Sequence, residues 1–221
     1  MSSLGFRIKP AVAPASPSLV QAFHSVVTPH ISDNMGRHIG ARGLNRYNST
    51  GKLVGTALTV KTRPGDNLYI YKAMTQLKPG HVLVIDAQGD LGNAVIGELI
   101  KRFAMLRGCV GFVVDGAIRD VAAFADTPCY ARGITHRGPY KDGPGEVNVP
   151  VVIGGMIIEP GDILVGDEDG LVAFAQAHAE DILHKAHRHQ VFEQNIIEEI
   201  ATGAEQQSWL QGLLASKGLG D

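Results

Sequence analysis

The chain has only two cysteines in 221 residues, Cys109 and Cys129, and their spacing fits no metal-binding motif. Cys109 opens an apolar run and reads as a small core residue rather than a nucleophile. The N-terminus lacks a positively charged segment leading into an apolar one, so a reducing cytoplasm is the expected compartment. No apolar run approaches the length of a membrane span. Excess charge of one sign is missing too. Against 20 Lys and Arg stand 22 Asp and Glu, and the formal charge of −2 leaves no footprint for nucleic acid or a membrane surface. The glycines form neither the dinucleotide pattern nor a Gly-Lys-Ser/Thr ending, which disfavours nucleotides. No Pro/Ser/Gly linker divides the chain, so residues 1–221 are expected to form one domain that binds a small molecule.

What is present reads as an α/β pattern. Met1 to Ser16 is rich in Pro, Ala and Ser, with little periodicity, and is expected to be a loose arm or one laid over a neighbour. Pro17 to Val27 has helical spacing, with Ser16 as N-cap, and Asp33 reads as a cap. Leu53 to Thr62 and His81 to Asp86 read as strands, with a helix from Asn67 to Leu77 between them. A Gly-containing loop, Gln88 to Asn93, opens the next helix, whose periodicity starts near Ala94. Pro128 to Thr135 reads as a strand and Arg137 to Asn148 as a long polar loop. Val149 to Ile158 suggests a hairpin, and further short strands run to Phe174.

The C-terminal part, residues 176–221, reads as helices. Gln176 to about Thr202 carries His178, His184, His187 and His189, but no His-Glu-x-x-His motif and no second cluster that would complete a zinc site. Gln207 to Leu214 is amphipathic, with Trp209, Leu210, Leu213 and Leu214 forming an apolar stripe suited to a subunit contact.

The chemistry concentrates between Gly97 and Asp120. Leu99, Ile100, Phe103, Ala104 and Leu106 recur at helical spacing, and Val110 to Val114 is a buried-strand run ending in Asp-Gly. Arg119 and Asp120 therefore stand just past a strand end, where open α/β sheets bind ligands. A guanidinium can hold a carboxylate or enolate oxygen through two donors, and an adjacent carboxylate can hold a hard divalent cation with water completing the shell. The plainer alternative is a solvated pair with Asp120 near an N-cap. His136 and Arg137 either line the same site or decorate a surface loop. A Schiff-base route would need a desolvated lysine, for which Lys101 is the nearest candidate.

Gly92, Ala94, Gly97-Glu98, Ala104, Gly108, Gly111, Val113, Asp115-Gly116 and Arg119-Asp120 form one set of motif positions. With Pro160-Gly161-Asp162 and Gly166-Asp167-x-Asp169-Gly170, they resemble the regulator-of-ribonuclease-activity A family, which includes class II 4-hydroxy-4-methyl-2-oxoglutarate/4-carboxy-4-hydroxy-2-oxoadipate aldolases. The resemblance spans roughly Ile31 to Phe174. It implies an αββα sandwich like the phosphohistidine swivelling domain, assembled as a homotrimer or homohexamer. It also implies a metal-dependent pyruvate aldolase that cleaves 4-hydroxy-2-oxo diacids and decarboxylates oxaloacetate as a side reaction.

On that resemblance Asp120 would hold Mg²⁺ or Mn²⁺, and Arg119 would bind the keto or enolate oxygen. The backbone of Gly97, Glu98, Leu99 and Ile100 would take the pyruvyl carboxylate. Glu98 would orient metal-bound water or move the proton; the family usually has Asp there. An acidic residue from a neighbouring subunit, among Glu193, Glu198, Glu199 and Glu205, would complete the site. The alternative implied by the family's namesake is a non-enzymatic inhibitor of an RNA-degrading endonuclease. The regulators tend to have Gly where this chain has Glu98 and an acidic residue where it has Ala123, and both differences favour the enzyme.

Overall fold

In the computed structural model, which describes residues 3–203 and 207–220, the apolar runs become the centre of one large sheet. In chain order the elements are α1 (Pro17–Phe23), α2 (Thr28–Asp33), β1 (Asn45–Arg46), β2 (Leu53–Thr62), α3 (Leu68–Met74), β3 (His81–Asp86), β4 (Ala94–Ile96), α4 (Glu98–Leu106), β5 (Gly111–Ile118), β6 (Cys129–Ile134), β7 (Gly145–Val147), β8 (Val151–Ile153), β9 (Met156–Ile158), β10 (Ile163–Gly166), β11 (Leu171–Phe174), α5 (Ala179–Ala201) and α6 (Ser208–Ser216). Short 3-10 turns occupy Val121–Phe124 and Gln176–His178. No helix among the described residues is long and apolar enough to cross a membrane.

Strands β3 and β5 are buried along their whole length, as continuous Val/Ile/Leu runs require when both faces of a sheet are covered. The sheet order is β1-β6-β5-β3-β2-β10-β11, with β2, β3, β5 and β6 parallel and β10–β11 an antiparallel hairpin at one end. The sheet curls because two strands change partners along their length. On one side β2 pairs first with β10 and then with β7, and β5 pairs with β3 up to Asp115 and with β4 from Ala117.

Alternation along the strands sorts the core into two faces. Leu58, Val60, Leu83, Ile85, Phe112 and Val114 meet α3 and α4. On the same face, towards β10, Val54, Ile163 and Val165 meet Phe23, Ile31 and Ile182 of α1, α2 and α5. The opposite face, through Ala57, Val82, Val84 and Val113, packs on the small β8–β9 sheet. The result is a mixed α/β fold with a curled sheet and C-terminal helices. Among the described residues the order of layers is helices, large sheet, small sheet.

The N-terminal arm, expected to be loose, is tied down from Gly5 to Ala15. Ile8 bridges Val147, Arg7 pairs with Glu146, His81 Nε2 meets the Val12 carbonyl, and the Ala15 N–H donates to Thr56 Oγ1 at 2.9 Å. Backbone hydrogen bonds and one ion pair hold it, and neither leaves a periodic trace in sequence. Burial pushes the Cys109 thiol up to about 11, consistent with an inert core residue.

Candidate functional site

The site is built where β5 ends. The Arg119 N–H donates to the Ile96 carbonyl at 3.0 Å, so the chain leaving β5 is fastened to the end of β4. Asp120 follows in the left-handed region, at φ 54°, a strained state for a residue with a side chain. It precedes the Val121–Phe124 turn, but its carboxylate does not cap that turn. Instead Asp120 Oδ2 accepts the backbone N–H of Glu98 at 3.0 Å, across the gap between β5 and α4. The plainer alternative is thus half met: Asp120 occupies the N-cap position of the turn, but its carboxylate reaches a different helix.

Helix α4 begins at Glu98, later than the periodicity near Ala94 implied. Ala94–Ile96 form β4, because the Ala94 N–H donates to the Arg137 carbonyl and Asn93 Nδ2 donates to the Gly138 carbonyl, which hold this stretch extended between β5 and the 135–144 loop. Gly97 joins strand to helix. A Cβ there would stand 2.5 Å from Asp120 Oδ2 and 2.9 Å from Arg119 Cγ, so only glycine lets the helix start approach the Arg-Asp pair. The first N–H groups of a helix lack partners in their own helix. Those of Leu99 and Ile100 find no acceptor elsewhere among the described residues.

A cavity of about 120 Å³ opens at this point, lined by Gly97, Leu99, Ile100, Arg119 and Asp120 together with Asn67, Tyr71 and Lys141. Arg119 Nε lies 3.7 Å from Asp120 Oδ2, and the two side chains remain 41% and 46% exposed, open to a ligand. The same pair borders a second, open recess with Val121, Ile134, Thr135 and His136. The stretch read as one loop to Asn148 ends earlier, because Gly145–Val147 pair with β2 as β7; the 135–144 loop that borders the site is anchored by Asp66. Burial of Asp66 opposes its ionisation, but N–H groups of Asp142, Leu68 and Gly143 outweigh this and hold its carboxyl below the usual range.

Five of the six site positions read from sequence therefore meet in one cavity. Glu98 joins them through its backbone only. Its carboxylate turns along α4 to Arg102, at 2.8 Å from Nε and 2.6 Å from Nη2, and lines the adjoining groove, as a Glu followed four residues later by Arg on a helix surface favours. Lys101 is a strut, with Nζ donating to the Ala123 carbonyl and to Asp126 Oδ1. His136 borders the second recess, while Arg137 contributes its backbone carbonyl to Ala94.

The acidic candidates on α5 lie at the other end of the sheet. Glu193 pairs with His30 and His189, Glu198 accepts from Gln194, and neither these nor Glu199 line the two recesses. Glu205 lies outside the described residues. Asp33, read as a cap, is instead the last residue of α2, whose C-cap is Asn34, and it pairs with Arg37. Asn67, Tyr71 and Lys141 were not read as site residues, because each belongs to a segment whose pattern signals only a helix start or a loop.

As a cation holder the site offers one carboxylate. Asp120 Oδ1 has no partner among the described residues, and a half-exposed oxygen beside room for water and a ligand oxygen suits Mg²⁺, which often uses one or two carboxylates plus substrate. No group of three His, Cys, Asp or Glu side chains converges among the described residues.

Residues 28–173 match the family model described as RraA-like, Aldolase/RraA. A protein of Halalkalibacterium halodurans, provisionally named 4-hydroxy-4-methyl-2-oxoglutarate aldolase, is 40% identical over 174 residues, which cover 77% of this chain and 83% of the relative. Among solved structures, a protein of Pseudomonas syringae pv. tomato is similar at TM-score 0.77 and 28% identity, covering 87% of this chain and 96% of the other. Streptomyces coelicolor RraAS2, described as an unusual member of the RNase ES inhibitor RraA family, is similar at TM-score 0.75 and 26% identity, covering 83% and 97%.

Proposed function

Since the chain belongs to the RraA-like family, in which one relative is named an aldolase and another is placed among ribonuclease inhibitors, we propose that it is a carbon–carbon lyase. Its substrates are 4-hydroxy-2-oxo diacids such as 4-hydroxy-4-methyl-2-oxoglutarate, or the triacid 4-carboxy-4-hydroxy-2-oxoadipate, cleaved to pyruvate and a second oxo acid, with oxaloacetate decarboxylation as a side reaction. One observation carries this reading: the partnerless N–H groups of Leu99 and Ile100, the Arg119 guanidinium and the Asp120 carboxylate border one small cavity.

The roles follow from charge. Leu99 and Ile100 donate to the pyruvyl carboxylate at a helix start, where an anion is favoured. The Arg119 guanidinium donates to the 2-oxo oxygen, whose negative charge grows as the C3–C4 bond breaks and its electron pair becomes the enolate. Lys141 makes no ion pair among the described residues and lies in the same cavity, available to a second carboxylate. Asp120 is the residue to hold Mg²⁺ or Mn²⁺, which when bound supplies Lewis-acid polarisation of the 2-oxo group. Glu98 moves the C4 hydroxyl proton after releasing Arg102, so Glu98→Gly should slow cleavage while leaving the fold intact. The exposed Val191, Phe192, Ile197, Trp209 and Leu213 suit a homotrimer or homohexamer, and a monomer mass by light scattering would sink that part.

The test is pyruvate release from a panel of 4-hydroxy-2-oxo diacids and oxaloacetate, with added Mg²⁺ and with excess chelator. Release that needs the cation supports the proposal. No release from any member overturns it and leaves endonuclease inhibition as the leading reading, consistent with the RraAS2 likeness.

A further inference from the structure

Asn67 is 2% exposed, and only one of its two side-chain polar atoms makes a hydrogen bond. Nδ2 donates to the Val95 carbonyl at 3.2 Å, which assigns the amide orientation, while Oδ1 is buried with no donor. Although Asn67 stands at the N-terminus of α3, its side chain does not cap that helix. A buried acceptor left without a donor is costly, and such groups occur where a ligand completes them. Asn67 lines the cavity that also holds Arg119, Asp120 and the free N–H groups of Leu99 and Ile100. Asp120, also in the lining, has Oδ2 on the Glu98 N–H and beside Arg119, and its free Oδ1 is the oxygen assigned to the cation. What Asn67 requires from a ligand is therefore a donor.

We propose that Asn67 is a specificity-determining residue whose side-chain carbonyl accepts the C4 hydroxyl of the substrate, so that the cavity favours 4-hydroxy-2-oxo acids over oxo acids without that hydroxyl. This deepens the aldolase reading and rests on it. Aldol cleavage starts from a C4 hydroxyl that Asn67 orients as the substrate docks; its single hydrogen then turns to Glu98 and leaves as the C3–C4 bond breaks and the carbonyl of the second oxo acid forms. Oxaloacetate decarboxylation breaks the corresponding bond to release CO₂ and needs no hydroxyl. Asn67 acts in the first reaction alone; it neither takes nor gives a proton. A site built to pair a substrate hydroxyl discriminates against analogues that lack it because its own polar group is then left unpaired.

The experiment compares initial rates of aldol cleavage and oxaloacetate decarboxylation, under the same Mg²⁺, for the wild type, Asn67→Leu and Asn67→Asp. Asn67→Leu keeps the volume and loses the acceptor, so the ratio of cleavage to decarboxylation should fall by about tenfold to a hundredfold. Asn67→Asp keeps an acceptor, and its added charge acts on both dianionic substrates alike, so the ratio should stay within about threefold of the wild type. If Asn67→Leu does not fold, Asn67→Ala is read by the same criterion. A wild-type ratio in the variant that lacks the acceptor, or an equal fall in Asn67→Asp, overturns the role of Asn67 and leaves the aldolase reading standing. A wild type that acts on neither substrate overturns the aldolase reading itself.

Discussion

At the carboxyl end of β5 and at the contact between α2 and α5 the chain gathers charged side chains, and it treats them in opposite ways. Between the helices the charges answer one another. Glu193 meets His30 Nε2 at 2.7 Å and His189 Nε2 at 3.2 Å, Asp33 accepts two nitrogens of Arg37, and the two imidazoles stack with centroids 5.1 Å apart. At the β5 end the donors of Leu99 and Ile100, one oxygen of Asp120 and the Lys141 ammonium all lack partners among the described residues. A strut and a site can thus hold the same residue types, and unused hydrogen-bonding capacity tells them apart. His30 Nδ1, buried without a partner, is the one orphan in the helical cluster, and it lines none of the cavities noted above.

The comparison breaks first at Arg119 and Asp120. Asp120→Ala should abolish the response of pyruvate release to added Mg²⁺ and cost at least about 10²–10³ in rate, the usual effect of deleting a transition-state stabiliser. Arg119→Lys keeps the charge but loses the planar fork, and its loss of similar size should appear in kcat more than in KM. Wild-type rates in both folded variants would show that the cavity is not the site.

A smaller effect is expected where the helix start touches the pair. Gly97→Ala introduces a Cβ that cannot coexist with Asp120 Oδ2 at 2.5 Å, so the carboxylate must move. A displacement near 1 Å typically costs up to about a hundredfold in rate. A folded Gly97→Ala variant with undiminished kcat would show that the Gly97–Asp120 contact does not set the geometry.

In the helical cluster the same kind of surgery should register in stability alone. His189→Asn removes a partly exposed pairing worth about 1 kcal/mol or less, which lowers Tm by about 4 °C at most for a chain of this size, and pyruvate release should be unchanged. Glu193 adds a pH signature. The hydrogen bond from His30 holds its carboxyl below the ordinary value of 4.5, so its stabilisation is complete above that value and fades as pH falls through the lowered one. Glu193→Gln should flatten the fall of Tm on the acid side of that window; an unchanged acid limb would remove Glu193 from the cluster's energetics.

Much of this contrast could be read from residue order, because Arg119-Asp120 follows a five-residue apolar run that marks a buried strand, although the Asp115-Gly116 read as its end lies inside β5, which runs on to Ile118. Less legible was anything set by contacts distant in sequence. Ala94–Ile96 is apolar enough to continue a helical stripe, and only pairing with β5 and tethering by the 135–144 loop make it a strand. The Glu98–Arg102 pair was readable from spacing, yet which of two neighbouring hollows the carboxylate enters is a rotamer choice. Asn67 could not be distinguished from an ordinary helix-starting asparagine, since what marks it is a missing partner in three dimensions.

The left-handed backbone at Asp120 has a consequence for anyone who evolves this protein in the laboratory. With φ at 54°, glycine would sit at position 120 with less strain than aspartate does. Selection for heat resistance alone would therefore drift toward Asp120→Gly, enriching robust molecules stripped of the carboxylate proposed to hold the cation. Any such library needs turnover as a second gate.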